Sequence, residues 1–567
     1  MCGTGKSSNS KEIVANIGNV RQRCASVSRE NDVGNSLPGG ECGKALPGGK
    51  FRKESILENW AWALGIAMAA VLVFHEGMQF GFLNDWDDMT FIQDNPRIAF
   101  TWENWLFYAM HPFQDLYTPL PMWSLMLDHA LFGLRPFAYH LHNLILHVLG
   151  AWVLMAVLKK LGVRTALAGL GALLWALNPQ KVESVIWVSE RKDVLCGVFA
   201  FGAMWCFLAR KTWLCAICTA LAIFAKPAAL ALPGIYVVWQ MADLGPERKY
   251  RPWWPAGMGV AAGIVSMLVT KQTNPGTIEK SLMVPFQNFF WYPLTSLVPF
   301  ETNPFYPEIV HPDWHFFGVV AGGGVLLGIG CIWARRLNYS WRSVCCALLI
   351  LFGAMFPVLG LLHYTNFRYC DRYNYLVSAV TVVCFAKLAE GTLRRWEGGW
   401  LKRIVYSGMG WIAVSYGCLA YLYVPYWENC LKLSYYSLQR PGRPNLKAYE
   451  MGVMAGFRMG ATDFLSYLRE ELPKRPPISH FDSQESIQSF LLFMDVHEAF
   501  LQGRDDEAEK AFQRLATQFA QKRQNGNAVV VALPPVLIQW LYVDMADIAL
   551  RRGELEKADF YRRAMRQ

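Results

Sequence analysis

Apolar stretches of near bilayer-spanning length recur from residue 57 to residue 424, each closed by a polar or charged cluster. The pattern places spans near 57–80, 139–158, 164–179, 193–209, 212–225, 228–241, 254–271, 316–334, 343–362, 373–389 and 404–424. The aromatic stretch Ser281–Phe300 fits this alternation only if it stays on one side, as a re-entrant or interfacial helix. After Tyr426 the pattern turns to amphipathic helices of soluble type. There "AFLQGRDDEAEKAFQRL" (Ala499–Leu515) sets Gly503 before Ala508 and Phe512, and "ALRRGELEKADFYRRAM" (Ala549–Met565) repeats this with Gly553 and Ala558. Small residues around a turn glycine suit helix–turn–helix units of the tetratricopeptide kind, degenerate or interrupted here by "NGNAVVVALPPV". A plain helical hairpin cap is the alternative. The expected class is all-α: a polytopic transmembrane helical bundle of about eleven spans with a small, tetratricopeptide-repeat-like C-terminal helical domain.

The pattern also divides the chain into 1–54, 55–425 and 426–567. Residues 1–54 are rich in Gly, Ser and Asn without hydrophobic periodicity and read as a disordered tail. The tail is too long and polar for a signal peptide, so the first span is expected to stay uncleaved. It carries nine Lys/Arg against five Asp/Glu, whereas the loop 81–138 carries two against seven. Positive charge collects on the cytoplasmic side, which puts the tail inside and the acidic loop outside. Basic clusters at Lys159-Lys160, Arg210-Lys211, Arg248-Lys249-Arg251, Arg335-Arg336 and Arg394-Arg395 keep that register, and an odd span count leaves the C-terminal domain extracytoplasmic.

Composition agrees. The chain of 567 residues is 53% hydrophobic and only 17% charged, against about a quarter charged in soluble domains. A net charge of +10 is then no argument for nucleic acid, because membrane proteins gather Lys and Arg in cytoplasmic loops. The cysteines lie mostly inside apolar segments, where they act as small hydrophobes, and neither a metal site nor a disulfide framework is expected.

On this topology four polar stretches converge outside: the loop holding "NDWDDMTFIQDNP", "NPQKVESVIWVSERKD", Lys226-Pro227 and "HYTNFRYCDRY". They bring carboxylates (Asp85, Asp87, Asp88, Glu183), cations (Arg191, Lys192, Lys226, Arg372) and His140, His142 and His147. Ionisable groups at membrane depth are costly and tend to be functional. A carboxylate can take the proton of an acceptor hydroxyl, and Arg and Lys can hold a phosphate leaving group. The set suits glycosyl transfer from a polyprenyl phosphate; proton-coupled transport would use the same charges. His140 and Asn143 read as polar packing that supports the site, with Asp85 and Glu183 in supporting acidic roles.

"WDDMTFIQDNPRI", "YTPLPMWSLMLDHALFGLRPFAYHLHNLILH", "ALNPQKVESVIWVSERKDVL", "AKPAALALP" and "DRYNYL" occur in that order. Together they resemble bacterial polytopic membrane proteins with C-terminal tetratricopeptide repeats. These are related to the transmembrane and tetratricopeptide-repeat O-mannosyltransferases of the glycosyltransferase-C superfamily. The resemblance covers about residues 55–460. It implies a polyprenyl-phosphate-sugar donor, an inverting transfer, and a catalytic acidic motif in the first outer loop, which falls on Asp87 and Asp88. The sequence departs from the family at Thr118, where Arg is usual, at Asn178, where His is usual, and in its short repeat array.

The expected protein is thus a glycosyltransferase of a bacterial inner membrane. It moves one sugar from the lipid donor to an acceptor outside, either a protein Ser/Thr, recognised with help from residues 426–567, or a glycan or lipid. Arg191, Lys192, Lys226 and Arg372 are the expected phosphate-binding cations. A transporter or flippase and a non-catalytic scaffold presenting the helical domain are the alternatives.

Overall fold

The computed structural model describes residues 56–565 apart from 115, 242–252, 271–276, 279–281, 300, 307–311, 364–368, 397, 441–445, 475–483, 525–532 and 534. The expected tail, the basic cluster at Arg248–Arg251 and most of the "NGNAVVVALPPV" interruption lie outside the described residues.

Each of the eleven expected segments falls on a helix. Among the described residues, seven helical segments are long and apolar enough to cross a membrane: Ile56–Phe74, Pro136–Lys160, Trp253–Thr270, Trp314–Arg336, Trp341–Val358, Asp371–Arg395 and Gly399–Glu428. Three more, Thr165–Ala176, Thr212–Ala225 and Pro227–Met241, are apolar but shorter. The remaining one, Arg191–Leu208, opens on three charged residues. The first helix shows how the bundle is solvated. Ile66, Ala70, Val73 and Phe74 face the core, whereas Leu57, Trp60, Leu64, Met68 and Leu72 stay exposed. An apolar stripe turned away from the protein is what a hydrocarbon solvent requires. This is an all-α polytopic transmembrane bundle, and a two-residue pairing, Thr277–Ile278 with Leu362–His363, is its only ladder among the described residues.

The stretch expected as a re-entrant or interfacial helix forms Met283–Leu297 and buries Trp291 and Tyr292. Its Tyr292 hydroxyl donates to the Val358 carbonyl at 3.0 Å, and its Ser296 carbonyl accepts from Asn178 at 3.0 Å. Close approach to Trp314–Arg336 depends on Gly323, where an added Cβ would lie 2.6 Å from the Phe290 carbonyl oxygen.

The bundle has two chemically distinct ends. At one, Glu390 is clamped by Arg164 at 2.9 Å and Arg394 at 2.7 Å, and Lys387 donates to the Leu161 carbonyl at 2.8 Å. In the turn that precedes that same helix, fifteen or more residues earlier, Asp371 and Arg372 belong to the other end, where the acidic loop sits. Between them His147 lies against Trp175, bonded to the Tyr375 hydroxyl at 2.9 Å and the Ala176 carbonyl at 3.0 Å.

Beyond the last long helix come Cys430–Leu438, Leu446–Met459 and Thr462–Glu471, then two helix–turn–helix pairs, Gln484–Leu501 with Asp505–Gln524 and Pro535–Arg551 with Leu555–Met565. Gly503 and Gly553 take φ of +70° and +77° at the two turns, a conformation that favours glycine.

Gly323→Ala should force the two helices apart and destabilise the protein by about 1–3 kcal/mol. Gly328→Ala, where nothing lies within 4 Å, should be neutral or stabilising. Thermal unfolding of both in detergent checks this.

Candidate active site

The acid turn follows the first membrane helix. Asp87 and Asp88 begin a helical turn that runs into a π-helical turn over Met89–Gln93, closed by Asp94 N–H donating to the Met89 carbonyl at 2.8 Å. Single π turns recur at functional sites because they re-aim side chains. The two aspartates part company here. Asp88 is fully buried, accepting from Leu83 N–H at 3.0 Å, Ser189 N–H at 2.9 Å and the Ser189 hydroxyl. It staples the acid turn to the 188–190 turn. Asp87 is half-buried and stands in the field of Lys192, Glu190, Lys447 and Arg372. Between them in role is Trp86, whose ring stacks on Trp187 at 3.9 Å with Trp427 beyond at 6.3 Å.

The cations meet on a residue that the sequence reading passed over. Glu190 is ion-paired to Lys192 at 3.3 Å, Lys226 at 3.3 Å and Arg372 at 3.5 Å. Burial alone would neutralise this carboxylate, yet the three cations hold it well below the usual range. Lys226 also reaches Asp193 at 2.6 Å, and Asp193 accepts from the Ser184 hydroxyl at 2.9 Å. Arg372 binds Glu183 through its guanidinium and its own N–H, the latter at 3.0 Å. Glu183 is therefore an anchor for Arg372. Nearby, Asp371 accepts from Gln180 and Tyr306, each at 2.9 Å.

Arg191 is a correction. Its side chain is sealed, at 0% exposure, and its N–H groups go to Asn143, to the Ser124 hydroxyl at 2.7 Å and to the Tyr139 carbonyl at 3.0 Å, with Asp128 at 2.7 Å. A guanidinium so fully engaged has little left to offer a phosphate. It instead fixes the start of its helix so that Glu190 and Lys192, on either side, join the cluster. Asn143 supports the same turn, donating to the carbonyls of Val185 at 3.3 Å and Trp187 at 3.2 Å. His140 is polar packing, its Nε2 3.4 Å from the Gly81 carbonyl. Asp85 is paired to Arg458 at 3.1 Å. The two positions that depart from the pattern of that resemblance both lie in the interior. Thr118 is buried at the start of helix Pro119–Phe132, and Asn178 bridges Ser296 and the Gln180 N–H.

No family model matches the chain. Parts of it align with curated proteins. GPI mannosyltransferase 1 of Gibberella zeae is 34% identical over 143 residues, 24% of this chain and 31% of that protein. Protein O-mannosyl-transferase TMTC2 of Mus musculus is 30% identical over 141 residues, and TMTC1 of Homo sapiens 32%, covering 22% and 23% of this chain. The chain is similar to mannosyltransferases. It spans under a third of the fungal relative's length and 16% of each mammalian one. Two solved structures, ArnT from Cupriavidus metallidurans bound to undecaprenyl phosphate and the Archaeoglobus fulgidus oligosaccharyltransferase, each overlay on 74% of this chain. They cover 82% and 58% of their own lengths at 14% identity and TM-score 0.34.

Besides Glu190, the sequence reading missed Asp128, Ser189 and Arg458. The run "SERKD" marks a charged helix start, but only the fold says which neighbour each charge faces.

The two aspartates should separate experimentally. Asp87→Asn removes a half-buried charge and should leave thermal stability near wild type while lowering any base-dependent turnover about 10²–10⁴-fold. Asp88→Asn turns an amide NH₂ towards the Leu83 or Ser189 N–H and should cost about 1–3 kcal/mol of stability. Burial pushes the Asp88 pKa up to about 6, so its ionised form strains the fold. Stability should then fall as pH rises from near 4 through about 6, a slope absent in Asp88→Asn. Asp87 is likewise pushed up by burial, with Lys192 pulling it down. Lys192→Met should move the acid limb of a pH–rate profile to higher pH.

Proposed function

We propose that the protein is a membrane glycosyltransferase that moves a single sugar from a polyprenyl-phosphate donor to an acceptor hydroxyl on the extracytoplasmic face. The observation that carries this reading is Asp87, half-buried in the turn after the stacked Trp86 and in the field of Lys192 and Arg372, two of the three cations that meet on Glu190. Asp87 accepts the proton of the acceptor hydroxyl. Lys192, Lys226 and Arg372 receive the lipid phosphate as it leaves, exchanging part of their contact with Glu190 and Asp193 for phosphate oxygens. Those cations stay paired throughout, so none is left as a bare charge in a dry site.

A base on one side of the sugar and a phosphate site on the other suit a single displacement with inversion. Trp86 and Trp187 keep water scarce there, which strengthens the electrostatics and limits hydrolysis of the donor. The names of the sequence relatives make mannose the first sugar to try. A protein Ser/Thr is the acceptor in this reading, with residues 426–567 helping to recognise it. The membrane is a bacterial inner membrane, with the N-terminal tail in the cytoplasm. Most charged side chains group at the two ends, and His147 and Lys181 between them are each bonded to fixed partners, Tyr375 and Ala176 for the one and Asn374 and Ser378 for the other, which supports an enzyme over a proton-coupled transporter.

The test is transfer in proteoliposomes supplied with labelled polyprenyl-phosphate mannose. Label should pass to protein acceptors, and Lys226→Met should weaken donor binding about 10–100-fold, the loss expected for a charged hydrogen bond. Uptake of a soluble substrate driven by a pH gradient, with no transfer from any lipid-linked sugar, would replace this reading with the transporter.

A further inference from the structure

Helix Leu446–Met459 belongs to two cores at once. Ala448, Met451 and Ala455 are buried in the cluster that also holds Leu83, Trp86, Trp187 and Trp427. Tyr449, Val453, Met454 and Phe457 are buried with Leu468, Phe493 and Leu541 of the C-terminal helices. The two sets repeat at helical spacing on adjacent faces, so one helix shares a core with the acid turn on one side and with the helical domain on the other. Its packing is close. A Cβ at Gly452 would lie 2.5 Å from the Ser434 hydroxyl oxygen, and that hydroxyl donates to the Ala448 carbonyl.

The last turn of this helix carries Arg458, whose Nη2 lies 3.1 Å from Asp85 Oδ1. Asp85 is 5% exposed and stands two residues before Asp87. A cation at a helix C-terminus is favoured by the helix dipole, so Arg458 is well placed to hold a carboxylate there. Lys447, in the first turn of the helix, adds a second positive charge felt by both Asp85 and Asp87. Phe457, next to Arg458, meets the His497 ring edge-on at 4.7 Å, and His497 Nδ1 lies 2.6 Å from Asp544 Oδ2. Contacts therefore run without a break from the acid turn into helices Gln484–Leu501 and Pro535–Arg551.

We propose that Arg458 is a positioning residue for the acid turn, and that helix Leu446–Met459 makes sugar transfer depend on the state of the C-terminal helical domain. The proposal rests on the reading of Asp87 as the base. A part-exposed ion pair adds little stability by itself, so the buried apolar faces hold the helix in place. The pair decides direction. Asp85, Asp87 and Asp88 crowd one turn, and without Arg458 only the Lys447 charge offsets the buried Asp85 carboxylate, which then pushes against Asp87. A shift of the helix by about 1 Å is enough to misplace a catalytic group.

The test uses the full chain in lipid nanodiscs with two readouts. In Arg458→Gln, kcat should fall about 10–100-fold with donor KM within about twofold, and Arg458→Lys should recover most of it. Amide hydrogen exchange across residues 83–93, read without donor, should rise in Arg458→Gln and return in Arg458→Lys. Wild-type kcat and wild-type exchange in Arg458→Gln would overturn the proposal. If that variant melts early, the pair Asp85→Lys with Arg458→Glu takes its place: protection lost in each single and restored in the pair supports the coupling, and no restoration overturns it. A chain whose acid turn loosens in Arg458→Gln, yet which transfers no lipid-linked sugar in any form, would keep the coupling and reject the transferase reading.

Discussion

A carboxylate with three cations around it organises this end of the bundle. Glu190 draws Lys192 from the start of its own helix, Lys226 from the break between two short apolar helices, and Arg372 from the turn before the Asn374–Arg395 helix. None of these charges could be buried alone, because the cost of desolvating an unpaired ion exceeds what apolar packing returns. Each is tolerated only if the others arrive. The loops are thus tied together by a requirement for charge balance, and the site inherits its geometry from that requirement. Arg191 obeys the same rule beside it, matched to Asp128 and Asn143.

The second organising element is aromatic. Trp86, Trp187, Trp427 and Phe305 form a layered group in which the acid turn, the 187–190 turn and the end of the last membrane helix all take part. Offset and tilted ring pairs of this kind have defined geometry as well as large buried area. They tie the turn that holds three aspartates to the 187–190 turn and to Trp427. Through Trp427 and the inner face of Leu446–Met459 this group extends into the chain beyond the membrane helices. The boundary between bundle and helical domain is therefore a shared core, and the acid turn lies against it.

The sequence by itself determined the elements that depend on composition over a window. A run of apolar residues must become a helix in hydrocarbon, since no other local structure satisfies its backbone, and all eleven expected segments are helices. The alternation of spans and basic clusters also brought the acidic loop, "NPQKVESVIWVSERKD", Lys226 and "DRY" to one end, as the contacts among them bear out. Pairwise facts were beyond its reach. Whether Asp87 or Asp88 is open, whether Arg191 serves a ligand or the fold, and which carboxylate gathers the cations turn on contacts such as Ser189 with Asp88, 101 residues apart. Adjacent charges in "SERKD" point to different neighbours according to helix phase and the packing of helices brought in from elsewhere. Arg458 is the extreme case, since an ordinary arginine on a soluble helix acquires its role only when that helix lies against Asp85. Periodicity and composition are local properties of the chain, whereas charge pairing is settled by the fold as a whole, and here that was left to the tertiary structure.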